Sequence, residues 1–179
     1  MNLPDEKRKM ILIKRAFVSD ASIISLLGKQ TFTETFGLLF NQSELSNYLD
    51  DTFNINKLKK SLLKDRNIFG IIHHEDKPVG YYKVKIGIHY DNTLNDKHVQ
   101  LQKIYILKDF LHLKLGKLML DNIFSLQEIK NCEIIWLVVL HTNYRAIHFY
   151  ENHGFEKLKK YYHIIGQHHL EYELMTKII

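Results

Sequence analysis

Lys114 and Lys117 stand where helix electrostatics does not favour cations. They fall at the start of an apolar pattern of helical period, Leu115, Leu118, Met119 and Ile123. The positive end of a helix dipole favours a carboxylate there by roughly 0.3–1 kcal/mol. A bound anion would resolve the conflict, because the first turn also carries N–H groups with no acceptor inside the helix. Gly116 leaves room for such a group to approach the main chain. A phosphate site and a solvated turn with two incidental lysines are equally compatible with these residues alone.

The eleven histidines raise the question of a metal. His73 with His74, and His163 with His168 and His169, form the clusters. Adjacent histidines on a strand point apart and no cysteine or carboxylate completes a ligand set, so no metal is expected. Cys132 is the single cysteine. It precedes an apolar run and reads as a packing residue rather than a nucleophile, and an internal disulfide is excluded.

The elements that position these groups follow from periodicity. A strand over 11–16 leads to Ser19 and Asp20 as a capping region, then a helix with Ile23, Leu26 and Leu27 on one face, running toward Gln30. The segment TFTETFG (31–37) continues that helix or forms its irregular end. Phe32 and Phe36, four residues apart, suit the core, while Glu34 is free to face a cleft. Further helices begin at Ser43, with Leu45, Tyr48 and Leu49, and at Asn54 or the residue before it, with Ile55, Leu58 and Leu62. Asp50 and Asp51 read as a solvated turn between them. Strands over 68–74 and 79–88 flank the turn EDKP as a hairpin, and Tyr81 and Tyr82 point to opposite faces, so that one of them can line a substrate cleft.

A polar loop over 90–97 precedes a strand over 98–107. The helix bearing Lys117 is followed by a strand over 133–140, whose IIWLVVL run is typical of a buried strand. Thr142 or Asn143 caps a short helix with Ala146, Ile147 and Tyr150 on adjoining positions, and Gly154 ends it. Strands over 155–163 and 170–177 close the chain. The pattern implies an α/β (α+β) domain, a mixed sheet with helices on both faces, over 11–179 after a charged segment 1–10.

A net charge of +5 suits an anionic partner, but the basic residues are scattered. With no basic block and no basic helix carrying an aromatic face, neither nucleic acid nor a membrane is expected as a partner. No apolar run approaches the roughly 20 residues of a membrane span, and no apolar stretch follows the charged N-terminus, so a cytoplasmic location is expected.

IYILKDFLHLKLGKLML and WLVVLHTNYRAIHFYENHGF together resemble the acetyl-CoA core of the GCN5-related N-acetyltransferases (GNAT). TFTETFG, PVGYYKVKIG and the IIG segment before the last strand resemble the polyamine (PaiA-type) N-acetyltransferases within that superfamily. The likeness runs from about Ile11 onward.

The resemblance implies the GNAT fold, with acetyl-CoA held where two neighbouring strands splay apart. It places the pantetheine arm on the backbone of Ile104, Tyr105 and Ile106. The pyrophosphate falls on the N–H groups of Leu111, His112, Leu113, Lys114, Leu115, Gly116 and Lys117. Asn143 matches a residue that contacts the cofactor near its thioester. Tyr150 matches the phenol that both contacts the cofactor and protonates the departing thiolate, and the Ile106 N–H matches the oxyanion donor.

Glu34, Phe36, Tyr81 and Tyr82 are the candidate acceptor contacts. The acceptor would be a small primary amine, a polyamine in the first instance, and the protein a monomer or homodimer. The chain also departs from the superfamily: Leu111 replaces a Gln or Arg, and Lys114 replaces a Gly. Gln102 stands where the polyamine group commonly has an acid. The base is therefore left among a water chain, Glu34 and His98. His168 and His169 likewise fall where that group tends to carry acids. The two histidines weaken the expectation of a polycationic acceptor, while Gln102 and the altered phosphate loop support a rival expectation, a non-catalytic acyl-CoA-binding or regulatory protein on the same fold.

Overall fold

In a computed structural model of the chain, residues 11–165 and 168–179 are described, so the charged segment 1–10 and the Gly of the IIG segment lie outside the described residues. The strands are β1 (Ile11–Arg15), β2 (Asn67–His74), β3 (Lys77–Ile88), β4 (Leu94–Ile106), β5 (Ile134–Leu140), β6 (Glu156–Ile165) and β7 (His168–Ile178). The helices are α1 (Ala21–Phe36), α2 (Gln42–Thr52), α3 (Ile55–Leu62), α4 (Leu115–Phe124) and α5 (Tyr144–Glu151). The strands form one sheet in the order β1-β2-β3-β4-β5-β7-β6. Its recorded pairings are antiparallel except for β4 with β5. This is the mixed α/β architecture expected from the sequence.

Contacts divide the chain into two compact units, one of residues 11–84 with Lys103–Leu126, the other of Lys85–Gln102 with Gln127–Ile179. In the first, α1 presents Ile24, Leu27 and Phe32 to a core shared with Phe53, Leu58, Phe69, Ile71 and Tyr81. Phe32 is the hub of an aromatic cluster, 4.9 Å from Phe36 and 4.5 Å from Tyr48 between ring centroids. Such pairs contribute about 0.5–1.5 kcal/mol each beyond the area they bury. Gly28 is needed here, because a Cβ would come within 2.3 Å of the Phe53 ring.

In the second unit β5 pairs along its whole length with β7, from Ile134↔Ile178 to Leu140↔Tyr172. Trp136 donates its indole N–H to the Ile88 carbonyl at 2.7 Å, which satisfies the one polar atom on a buried ring.

Several local expectations need correction. Leu26 is 71% exposed, because the buried stripe of α1 runs through Ile24, Leu27 and Thr31 instead. Asp20 makes no cap bond to α1; its carboxylate turns back to accept from the Phe17 N–H. Asp50 and Asp51 lie in the last turn of α2, not in a solvated turn. That is the wrong end of a helix dipole for acids, and Lys29 and Lys57 offset it by ion pairing with them. The strand expected from 98 starts at Leu94, since Asn92 makes the turn at φ 67° and the residues after it are already extended. Among the described residues no helix is long and apolar enough to cross a membrane.

Candidate active site

In the first unit, the Leu107 N–H donates to the Val79 carbonyl at 2.9 Å. Hydrogen-bonding direction alternates along an antiparallel strand, so the main-chain groups of Ile106 and Ile104 turn to the opposite edge of β4. Tyr105 turns its own toward β3, and Gly80 permits the close approach: a Cβ there would stand 2.5 Å from the Tyr105 carbonyl oxygen. The recorded β4–β5 ladder comprises only His98↔Ile134, Val99↔Ile135 and Gln100↔Trp136. It does not reach Ile104 or Ile106, whose obligatory donors and acceptors therefore need another partner.

After β4 the chain makes a 3-10 segment, Lys108–Leu113, and then enters α4. Lys114, at the junction, takes left-handed φ 54° and ψ 30°, and no side chain caps the helix. An L-residue adopts that conformation at a cost of roughly 1–2 kcal/mol, so a Lys fills a position whose geometry suits glycine. Leu113 and Leu115 are buried anchors, whereas His112, Lys114 and Lys117 are exposed. Lys117 pairs with Asp121 one turn on, at 2.7 Å; Lys114 has no ion pair among the described residues.

Glu34 touches this loop from 74 residues away. Its carboxylate accepts from the Lys108 N–H at 2.8 Å and from Gln30 Nε2 at 2.9 Å, so it caps the 3-10 segment. Of the other candidate acceptor contacts, Phe36 packs on Phe32. The Tyr82 hydroxyl donates to Asn122 Oδ1 of α4 at 2.8 Å. Tyr81 lies on the opposite face and lines a cavity of about 190 Å³.

Three lysines also line that cavity, Lys57, Lys83 and Lys103, and sequence reading passed over all of them. The signal was available: Tyr81 and Lys83 on β3, and Lys103 and Tyr105 on β4, alternate with period two and so share one face.

In the second unit, Asn143 Oδ1 accepts from the Ala146 N–H at 3.2 Å and caps α5. Gly154, at φ 80°, stops the helix. Tyr150 is buried, its ring held edge-on by Phe149 and Phe155 at 5.4 and 5.5 Å. Burial pushes its phenol well above the usual tyrosine range, so it stays protonated at neutral pH. His98 is buried beside His89; desolvation first, then that neighbour, lowers its pKa and keeps the imidazole neutral. Burial likewise pushes the Cys132 thiol up, away from the reactive thiolate.

The sequence profile of the Acetyltransferase (GNAT) family matches residues 30–155, and the chain belongs to that family. It is an N-acetyltransferase that uses acetyl-CoA.

An uncharacterized N-acetyltransferase from the pepI 3' region of Lactobacillus delbrueckii subsp. lactis is 24% identical over 144 residues, 78% of this chain and 81% of that protein. Among solved structures, the PaiA N-acetyltransferase of Thermoplasma acidophilum, in complex with coenzyme A, aligns with a TM-score of 0.77 at 16% identity. That alignment covers 94% of this chain and 99% of the other. A probable acetyltransferase from Staphylococcus epidermidis aligns at 0.73 with 17% identity, over 94% and 99% of the two chains.

Proposed function

We propose that the chain transfers the acetyl group to a small primary amine, with the cofactor held by main-chain atoms and Tyr150 as the general acid. The observation that carries this is the short β4–β5 ladder, which ends at Gln100↔Trp136 while β4 continues to Ile106. The residues fit the cofactor: Ile104 and Ile106 offer donors and acceptors on the open edge, and the N–H groups of the 3-10 segment and of Leu115 to Lys117 suit a pyrophosphate. Lys114 adds a positive charge there, and Asn143 is assigned to the thioester end.

When bound, acetyl-CoA supplies an acetyl thioester open to attack by a neutral amine, and leaves as the thiol. Tyr150 holds the proton that the departing sulfur takes, a task for which a phenol raised by burial is suited only while it is protonated. The Ile106 N–H donates to the acetyl carbonyl oxygen, fixed in direction by the strand. His98, neutral at pH 7, and a water chain remain as acceptors for the amine proton. The Glu34 carboxylate is engaged by Lys108 and Gln30.

Polyamines are the acceptor class that the PaiA likeness puts first. Gln102 and the two histidines at 168 and 169 weigh against it, since a polycation is held by acids. Purified protein incubated with acetyl-CoA and a panel of amines should release free thiol above background with at least one acceptor. Silence across polyamines, amino acids and peptide N-termini would instead favour the acyl-CoA-binding reading, which the strained Lys114 turn supports. In that case coenzyme A should still raise the melting temperature.

A further inference from the structure

Glu34, like Asp50 and Asp51 on α2, is an acid at the negative end of a helix dipole. It lies in the last turn of α1, and no basic residue of that turn offsets it. Nothing local favours a carboxylate there. Thr31, Thr33 and Thr35 around it donate their hydroxyls to the carbonyls of Leu27, Lys29 and Thr31, at 2.7, 2.9 and 2.7 Å. Those hydrogen bonds stay within the helix, whereas the Glu34 carboxylate leaves it.

What the carboxylate meets is the start of the cofactor loop. Its Oε2 accepts from the Lys108 N–H at 2.8 Å, and its Oε1 accepts from Gln30 Nε2 at 2.9 Å, which holds the group in place from its own helix. Lys108 opens the 3-10 segment, and that segment supplies no side-chain cap of its own. Just before it, Leu107 is buried and bonded to the Val79 carbonyl of β3; beyond it, Leu113 and Leu115 are buried. Between these anchors Lys108, Asp109 and His112 are exposed. The direction of the N–H groups that suit a pyrophosphate is therefore set by bonds at the ends of the run, and the Glu34 bond is one of them. By charge alone a carboxylate beside an anion site repels the ligand, so any gain from Glu34 comes from geometry.

We propose that Glu34 is a positioning residue for coenzyme A: its bond to the Lys108 N–H fixes the loop before the ligand arrives, so that less ordering remains for binding to accomplish. The proposal rests on the reading of this loop as the pyrophosphate site, and it moves Glu34 out of the acceptor contacts and the candidate bases. Coupling is reciprocal, so coenzyme A in turn holds the Lys108 N–H against opening.

Calorimetric titration with coenzyme A tests it, because geometry and charge predict opposite signs. Glu34→Gln keeps a carbonyl oxygen for the Lys108 N–H and removes the like charge, and should bind as tightly as the parent or more so. Glu34→Ala has no acceptor and should bind about 3- to 10-fold more weakly, the range expected when a lost cap must be made good by the ligand. Gln30→Ala should weaken binding less, and should add nothing in the Glu34→Ala background. Exchange of the Lys108 amide, read by NMR without ligand, should quicken in Glu34→Ala and not in Glu34→Gln. Glu34→Ala binding as tightly as the parent overturns the proposal, whatever its stability in urea, since the cap is then structural only. Glu34→Gln binding as weakly as Glu34→Ala overturns it too.

Kinetics supply a second readout. With an acceptor that turns over, Glu34→Ala should raise the KM for acetyl-CoA and not that for the amine. The reverse split, or a kcat lost in both variants together with the acidic limb of the pH profile, returns Glu34 to the acceptor side and overturns the proposal. Should no acceptor turn over, acetyl transfer fails by itself and the titrations still decide on Glu34. Should the parent protein not bind coenzyme A, the pyrophosphate reading falls and the proposal falls with it.

Discussion

Lys114 offers the sharpest test of the reasoning, because its backbone and its charge can be separated. At φ 54° and ψ 30° the residue sits in the left-handed region, where a side chain costs roughly 1–2 kcal/mol and glycine nothing. Lys114→Gly relieves that strain but adds backbone freedom to the unfolded chain, about 0.4–1 kcal/mol in the other direction. The net gain should be about 0.5–1 kcal/mol. For a chain of this size that is a rise of about 1–4 °C in melting temperature.

Lys114→Ala is the control, since it also removes the charge at the start of α4 but keeps the strain. The Gly variant should therefore melt above the Ala variant, and both should bind coenzyme A more weakly and with a shallower salt dependence than the parent. Calorimetric melting of the three proteins, with coenzyme A titrations at two salt concentrations, measures both effects. An Ala variant as stable as the Gly variant would refute the strain argument. Unchanged coenzyme A affinity in both would remove Lys114 from the phosphate site.

Further outcomes follow from the same geometry. Tyr150→Phe should lower turnover by about 100-fold or more while leaving coenzyme A affinity nearly intact, measured by thiol release and calorimetry. Glu34→Ala removes the cap on the Lys108 N–H and should cost about 0.5–2 kcal/mol in chemical denaturation. Gly70→Ala drives a Cβ to within 2.3 Å of the Tyr82 ring and should destabilise by about 1–3 kcal/mol.

Lys103 makes stability depend on pH. Its native pKa, about 8, lies below the unfolded value of about 10.5, so between them the unfolded chain binds the extra proton and stability rises with pH. Lys103→Met should therefore stabilise the protein at pH 7, by about 1 kcal/mol after loss of its contacts with the Phe53 and Tyr105 rings, with the gain fading toward pH 10.5. Urea denaturation at pH 7 and 10 reads it.

Local signals carried much of the architecture. Asn54 and Asn143 cap the helices that their periodicity announces, and Gly154 turns left-handed where the α5 pattern stops. These features depend on a few neighbouring residues, whose φ and ψ preferences act before any packing. At Lys114 it was the resemblance to the superfamily, not a local signal, that set a lysine where a glycine is usual, and the backbone there takes a positive φ.

Only the tertiary structure decided the rest. Nothing near Glu34 says that its carboxylate will cap an N–H 74 residues on, and nothing near Leu26 says that Ile24 will take its place in the core. The lysine cavity gathers residues from α2, α3, β2, β3 and β4. These residues line one cavity because strands distant in the chain lie side by side, and the burial that lowers Lys103 is a property of that packing rather than of any segment of sequence.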